Sequence, residues 1–342
     1  MNCDIRFLVL VNLVLVSAFN AHRAEAGVIL QGGGATFPYP LYAKWFAAFS
    51  EIDKDVDFSY QRVGSGEGQR LISNQFIDFG ASDAPMSSEA LANAPGTILH
   101  VPTVGGATIV IFNLPQIRNL RLDGPTLAAI YLGKITQWND PAIVAQNPQI
   151  KLPDEEITTV HRSDDSGTTY IFTSFLTSAS PEWKLKLGRS VSVNWLSGVG
   201  LKGSDALTSY VKHTPGAIGY VELAYATQDN LPHASIKNSA GNYVQASTES
   251  IAAALSASAI PDDFRWSVVN APGPESYPIA GVTWLLVFKN PGDPTKIAKL
   301  LAFLKWAETE GQKMAPDLNF APLPETVTQR VLSEINTISA RN

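Results

Sequence analysis

Three features of the sequence predict an α/β chain made of two lobes around a cleft. Apolar runs alternate between strand and helix periods, glycine- and serine-rich turns stand between them, and two stretches read as crossings from one lobe to the other. Val28-Ile29-Leu30 is a short strand-like run that ends in Gly32-Gly33-Gly34. Residues 38 to 49 place Leu41, Trp45 and Phe49 on one helical stripe. Val56, Phe58 and Tyr60 alternate as a half-buried strand, and Gly64-Ser65-Gly66 breaks the chain before a helix over Glu67 to Asn74. Phe76 to Ala81 reads as a strand that ends at Ser82-Asp83. The rhythm continues with strands at Thr108 to Phe112, Thr158 to His161 and Ala217 to Val221, and helices at Thr126 to Tyr131 and Ser166 to Leu176. The crossings are Val101 to Gly106 and the Pro- and Gly-rich Ala271 to Ala280. An apolar strand over Thr283 to Phe288 follows. Next comes an amphipathic helix from Pro294, with Ile297, Leu300, Leu301 and Leu304 on one face and Gly311 as its stop. A last helix from Pro324 carries Val327, Val331, Ile335 and Ile338. The crossings divide the chain into residues 27–104 and 276–342 for one lobe and 105–275 for the other.

Composition excludes several function classes. A chain of 342 residues suits about two domains. Only 16% of residues are charged, against a usual ~25%, which argues against a disordered chain. A net charge of −6 argues against a nucleic-acid partner or a general anionic membrane surface. Residues 1–26 read as a signal peptide: Arg6, an apolar run from Phe7 to Phe19, then a small-residue cleavage pattern at Ala24-Glu25-Ala26. Cleavage near Ala26 removes Cys3, the single cysteine, and with it disulfides, thiolate chemistry and cysteine metal sites. An exported, cysteine-free chain points to a bacterial periplasm.

Three clusters place Gly, Ser or Thr before a helix: Gly34-Ala35-Thr36-Phe37, Gly64-Ser65-Gly66 and Ser166-Gly167-Thr168. A helix start presents unpaired N–H groups and partial positive charge, which suits an anion, although these residue types also serve as ordinary N-caps. The third cluster follows His161-Arg162-Ser163-Asp164-Asp165. The Arg162 guanidinium offers a planar fork to an oxyanion, and Asp164 is placed to orient it; the local alternative is a surface ion pair. Asp83 is either a helix cap before Ala84-Pro85 or an acceptor for an anion that carries a proton. An ionised carboxylate only accepts hydrogen bonds, so phosphate satisfies it and sulfate does not. Enzyme signatures are missing: there is no G-x-S-x-G elbow, phosphate loop of the GK[ST] type, or H-E-x-x-H, and the histidines are scattered. His161 reads as structural or solvated, and Trp138, Trp183 and Trp195 as core or surface residues.

In this order, Gly34 to Tyr42, Gly64-Ser65, Asp78 to Pro85 and Arg162 to Thr168 resemble the periplasmic phosphate-binding proteins of Pst-type ABC transporters. Ile130 to Ile135 with Trp138, and Pro215 to Glu222, are similar too. The resemblance implies a type II periplasmic-binding-protein fold, each lobe a mixed sheet flanked by helices, closing on one dehydrated phosphate. It implies ligands at Thr36, Phe37, Ser65, Asp83, Arg162, Ser166, Gly167 and Thr168, with Asp164 orienting the arginine. No cofactor or metal is expected. The partners expected are inorganic phosphate and a membrane permease, with the chain a monomer and not an enzyme. The alternatives are a phosphoester-acting enzyme or a receptor for another oxyanion such as sulfate. Two positions depart from the pattern. Gly66 stands where many members have serine, a change its N–H should make tolerable. Asp165 stands where glycine is common, and it adds negative charge near the site unless its side chain faces solvent.

Overall fold

The computed structural model describes residues 27–339, so the signal segment and Cys3 lie outside the described residues. The first part of the chain forms β1 (Val28–Gly34), α1 (Tyr39–Ile52), β2 (Val56–Arg62), α2 (Ser65–Ser73), β3 (Phe79–Ser82), α3 (Ser88–Ala92) and the long β4 (Ile98–Phe112). The middle contributes β5 (Arg121–Leu122), α4 (Gly124–Tyr131), α5 (Pro141–Val144), β6 (Thr158–Arg162), α6 (Gly167–Ala179), α7 (Pro181–Lys186), β7 (Val199–Leu201) and α8 (Gly203–His213). It continues with β8 (Ala217–Glu222), α9 (Leu223–Gln228), β9 (Ser235–Lys237), β10 (Tyr243–Val244) and α10 (Thr248–Ser256). The chain ends with β11 (Ala280–Phe288), α11 (Pro294–Ala307) and α12 (Glu325–Ile335).

An eight-stranded mixed sheet in the order β2-β1-β3-β11-β4-β8-β6-β7 forms the frame, and a second sheet pairs β10, β9 and β5. The main ladder runs unbroken because β4 changes partners along its length. It pairs with β11 from Ile98 to Ala107, and with β8 from Thr108 to Phe112. The stretch Val101 to Gly106, expected as a connection, is therefore strand. Pro102 has no N–H to give, and the register with β11 slips between Thr283 and Trp284 opposite it, which lets the ladder absorb the proline. The second crossing ends where Ala280 opens β11 opposite Ala107.

Two aromatic cores lie to either side of this change of partner. On one side, Phe46 stacks on Phe58 at 4.5 Å between ring centroids, and Phe58 meets Phe303 of α11 at 4.8 Å. On the other, Phe172 of α6 stacks on Tyr220 of β8 at 4.3 Å, with Tyr131 edge-on to Phe172 at 5.0 Å. Each core holds helices against its own part of the sheet, so helix starts on the two sides face each other.

Several boundaries differ from the sequence reading. Residues 76 to 78 are a turn rather than strand, since Gln75 takes φ 59° and Phe76 is exposed. The α2 helix begins at Ser65, two residues early, because Gly64 takes φ 94° and turns the chain directly into it. The α11 helix stops at Ala307, and Gly311 opens a 3-10 turn packed against Trp45, whose indole N–H donates to the Gly311 carbonyl at 2.8 Å. Ile338 lies beyond α12 yet is buried. The sequence reading assigns no element to α3, α5, α7, α8, α9, α10, β7 or the small sheet, although α8 and α10 bury residues four apart, Leu207 with Val211 and Ile251 with Leu255.

Candidate functional site

Thr36 and Phe37 occupy the turn between β1 and α1, both buried. That turn is held from two directions: the Tyr60 hydroxyl donates to the Ala35 carbonyl at 2.7 Å and the Tyr225 hydroxyl to the Thr36 carbonyl at 2.5 Å. Ser65 is the first residue of α2, and its Oγ accepts the Asp83 N–H at 3.0 Å. Asp83 follows β3 directly. It caps no helix, because α3 starts at Ser88 behind a Ser87 cap. The register slip between β11 and β4, where Thr103 of β4 is the extra residue, falls beside Thr283, whose hydroxyl donates to Asp83 Oδ1 at 2.7 Å.

Arg162 ends β6. Its Nε donates to Asp164 Oδ1 at 2.7 Å and its second nitrogen to Oδ2 at 2.5 Å, a two-pronged pair. Side-chain exposure is 1% for Arg162 and 7% for Asp164, so this is a buried pair and not a surface one. The Gly203 N–H at the start of α8 donates to Asp164 at 3.1 Å, while the Tyr220 hydroxyl accepts the Arg162 N–H at 3.1 Å. Burial works against the charged form of Asp164, but the Arg162 hydrogen bonds and charge outweigh it and hold the carboxyl below its usual range. Ser166 caps α6 by accepting the Thr169 N–H at 3.2 Å, and its own N–H donates to Val191 at 2.9 Å. The first turn of α6 leaves the Gly167 and Thr168 N–H groups without intrahelical partners. The Thr168 hydroxyl is buried and has no hydrogen-bond partner among the described residues.

The expected ligands converge from both sides of the partner change. A Cβ placed on Gly167 would lie 2.3 Å from Ser65 Oγ and 2.6 Å from Asp83 Oδ2. Helix α6 thus approaches α2 and β3 as closely as glycine allows. Thr36 Oγ1 and Ser204 Oγ lie 2.9 Å apart, and Arg162 Nη1 reaches the same Ser204 hydroxyl at 3.3 Å. At the rim, Arg62 pairs with Asp205 at 2.7 Å. The environment pushes the Asp83 pKa up to about 7: burial raises it, only partly opposed by the Thr283 hydrogen bond, the Arg162 charge and Ser65. In chemical terms one guanidinium, helix-start donors, several hydroxyl groups and a buried acceptor poised to share a proton meet at one place.

The two departures from the family pattern pack against each other. A Cβ on Gly66 would lie 2.4 Å from Asp165 Cβ, and the Gly66 N–H donates to the Asp165 carbonyl at 2.9 Å. The Gly66 N–H, expected to remain on offer, is thus already used. The Asp165 side chain is 40% exposed and lies 3.7 Å from Arg70. Its charge therefore faces a cation and solvent. His161 is half-buried, stacked on Trp195 at 4.7 Å, and burial lowers its pKa, which makes it a structural residue. Trp138 and Trp183 are core.

Sequence reasoning missed Thr283, Ser204, Gly203, Tyr220 and Tyr225. The available signals were a threonine in an otherwise apolar strand and a fourth helix start at Gly203-Ser204. Among the described residues no group of three or more His, Cys, Asp or Glu side chains could hold a metal ion, and no helix is long and apolar enough to cross a membrane.

A family model described as a PBP superfamily domain matches residues 21–310. The chain is 42% identical over 312 residues to the phosphate-binding protein PstS of Haemophilus influenzae, which covers 90% of this chain and 92% of that one. It is 38% identical over 339 residues to PstS of Methanocaldococcus jannaschii, covering 91% and 86%. Among solved structures, a high-affinity periplasmic phosphate-binding protein bound with phosphate superposes with a TM-score of 0.74 at 22% identity, over 90% of this chain and 93% of that one. A phosphate-binding protein from Stenotrophomonas maltophilia superposes at 0.69 and 22%, over 90% and 94%. These two establish likeness of fold.

Proposed function

The chain belongs to the PBP superfamily and, within it, to the PstS phosphate-binding proteins, and from that premise we propose that it binds inorganic phosphate in the periplasm and delivers it to an ABC permease for import. The observation that carries this reading is the meeting of Arg162, the starts of α2 and α6, the Thr36-Phe37 turn and the buried Asp83 at one place. The residues we assign to phosphate are Thr36, Phe37, Ser65, Asp83, Arg162, Ser166, Gly167 and Thr168, with Asp164 orienting Arg162 and Gly66 bracing the closed cleft. The Ser166 N–H is spent on the Val191 carbonyl and its Oγ accepts the Thr169 N–H, which leaves the hydroxyl hydrogen to donate to the anion.

The chemistry follows from charge and donor count. Three phosphate oxygens accept from the guanidinium, the N–H groups and the hydroxyls, and the fourth, as P–OH, donates to Asp83. Seven or eight charge-assisted bonds at about 1.5–3 kcal/mol net each support an affinity of roughly micromolar or tighter. Well above pH 7, where Asp83 is ionised, sulfate brings no proton and would meet an acceptor with nothing to accept. The lobes we assign are residues 27–104 with 276–342, and 105–275, hinged where β4 changes partners. Closing them excludes water and strengthens each bond, and the closed form is the one a permease would read. We assign the chain the role of a monomeric carrier: phosphate is bound and released unchanged.

Calorimetric titration of the full chain with phosphate and, separately, with sulfate, well above pH 7 so that Asp83 is ionised, tests this. Expected is one phosphate per chain with affinity at or tighter than micromolar, and sulfate weaker by a factor of about a hundred or more. Equal affinity for the two anions, or turnover of a generic phosphoester with or without added metal, would overturn it.

A further inference from the structure

Three consecutive residues at the start of α8 serve the site. The Gly203 N–H donates to Asp164, the Ser204 hydroxyl stands between Arg162 and Thr36, and Asp205 pairs with Arg62 at the rim. Ser204 is fully buried. Its Oγ has two hydrogen-bond partners among the described residues, Arg162 Nη1 at 3.3 Å and Thr36 Oγ1 at 2.9 Å. In the lobes assigned above, Arg162 and Ser204 belong to residues 105–275 and Thr36 to residues 27–104. The same Thr36 turn is held a second time from across the cleft, by the Tyr225 hydroxyl on its carbonyl at 2.5 Å.

The direction of these bonds follows from what each group can donate. A guanidinium only donates, so Ser204 Oγ accepts from Arg162. The Ser204 hydrogen then has one acceptor among the described residues, Thr36 Oγ1. Having accepted there, Thr36 keeps its own hydroxyl hydrogen for the anion. Of the five guanidinium N–H groups, two go to Asp164 and one to Ser204, and two remain for the anion. The chain from Arg162 through Ser204 to Thr36 thus runs one way. Each bond polarises the next, so the positive charge strengthens the hydroxyl that Thr36 presents. The Arg62–Asp205 pair spans the same gap, but its side chains are 43% and 62% exposed, and solvent screening leaves it little to contribute.

We infer that Ser204 is a positioning residue for anion binding: it joins an anion ligand from each lobe, makes its bond to Thr36 only when the cleft closes, and so slows release of the bound anion. The role in release rests on the phosphate reading above; the contact across the cleft does not. Calorimetry gives the phosphate affinity of the full chain, and a chase of bound radiolabelled phosphate with unlabelled phosphate gives its release rate. Expected is a dissociation constant about tenfold higher in Ser204→Ala, nearly all of it as faster release, with the phosphate-free unfolding midpoint close to that of wild type. In a Thr36→Val background, which has no hydroxyl to receive the bond, the same substitution should change affinity by about twofold or less. In Thr36→Ser, which keeps the hydroxyl, the tenfold effect should remain. An equal effect in all three backgrounds, or an unchanged release rate in Ser204→Ala, would overturn the role. Thr36→Cys combined with Ser204→Cys reads the contact without any ligand: oxidation should bridge the two sulfurs, with Cys3 the only other cysteine of the chain. A wild type that bound no phosphate while this pair still bridged would overturn the phosphate reading and leave the contact standing. A pair that stayed reduced would overturn the contact.

Discussion

Replacing Asp83 with asparagine isolates the effect of the one buried acceptor in the pocket. Its carboxyl pKa stands at about 7 in the folded chain against an ordinary 3.8. That gap of roughly three units corresponds to about 4 kcal/mol. The sign is fixed by its direction. The folded state holds this proton more tightly than the unfolded state, so the contribution is fully present below the ordinary value. It is lost as pH rises towards 7, and is flat above. Asparagine is isosteric, can still accept from Thr283, and does not titrate. All other titrating groups are common to both proteins, so the difference between them reports Asp83. Urea unfolding of phosphate-free wild type and Asp83→Asn should diverge by about 3 kcal/mol between pH 5 and pH 8, with the variant gaining relative stability at the higher pH. A carboxyl carbon titration should place Asp83 itself near 7. Stability curves that run parallel across that range, or a carboxyl that titrates in the ordinary range, would refute the reasoning. The same variant should narrow the preference for phosphate over sulfate by about tenfold or more, because an amide can donate to a sulfate oxygen.

Arg162→Ala should abolish measurable phosphate binding. Because the pair with Asp164 is buried, it should also destabilise the fold by about 3–5 kcal/mol, read by thermal unfolding; the conservative Arg162→Lys should recover stability better than affinity. Gly66→Ser forces a Cβ into Asp165 Cβ and should weaken both stability and phosphate affinity, whereas adding Asp165→Gly should restore them. A coupling of about 1–3 kcal/mol in that double-mutant cycle is expected, and simple additivity would contradict the packing. Gly167→Ala should prop the two sides apart, raising the phosphate dissociation constant by about tenfold or more in calorimetry and enlarging the radius of gyration of the loaded protein in solution scattering.

The sequence exposed the parts of the site that are local. Helix starts announce themselves as Gly, Ser and Thr before an apolar stripe, so Thr36, Ser65 and Ser166 to Thr168 were legible, as was the Arg162–Asp164 spacing. The depth of that pair was not, since only packing by Tyr220, Gly203 and Ser204 buries it. Asp83 could be read as a cap or as an acceptor, and what decides between them is the distance to α3 and a hydroxyl from Thr283, 200 positions further along the chain. The Gly66 and Asp165 substitutions looked independent because they are remote in sequence, yet they share one volume across the cleft. The long β4 was misread at its centre because proline and glycine usually end strands. Here a one-residue slip of β4 at Thr103, against a neighbour formed from residues 280–288, absorbs Pro102, and the same slip falls opposite the threonine that binds Asp83.

The central claim is that one protonated tetrahedral anion is held between these elements, and a crystal structure of the chain grown with phosphate at neutral pH tests it most directly. The account predicts a single tetrahedral anion within hydrogen-bond distance of Thr36, Arg162, Thr168 and the Gly167 N–H, with one oxygen 2.5–2.7 Å from an Asp83 oxygen, as a shared proton requires. An anion bound elsewhere, or one whose oxygens avoid Asp83, would contradict it.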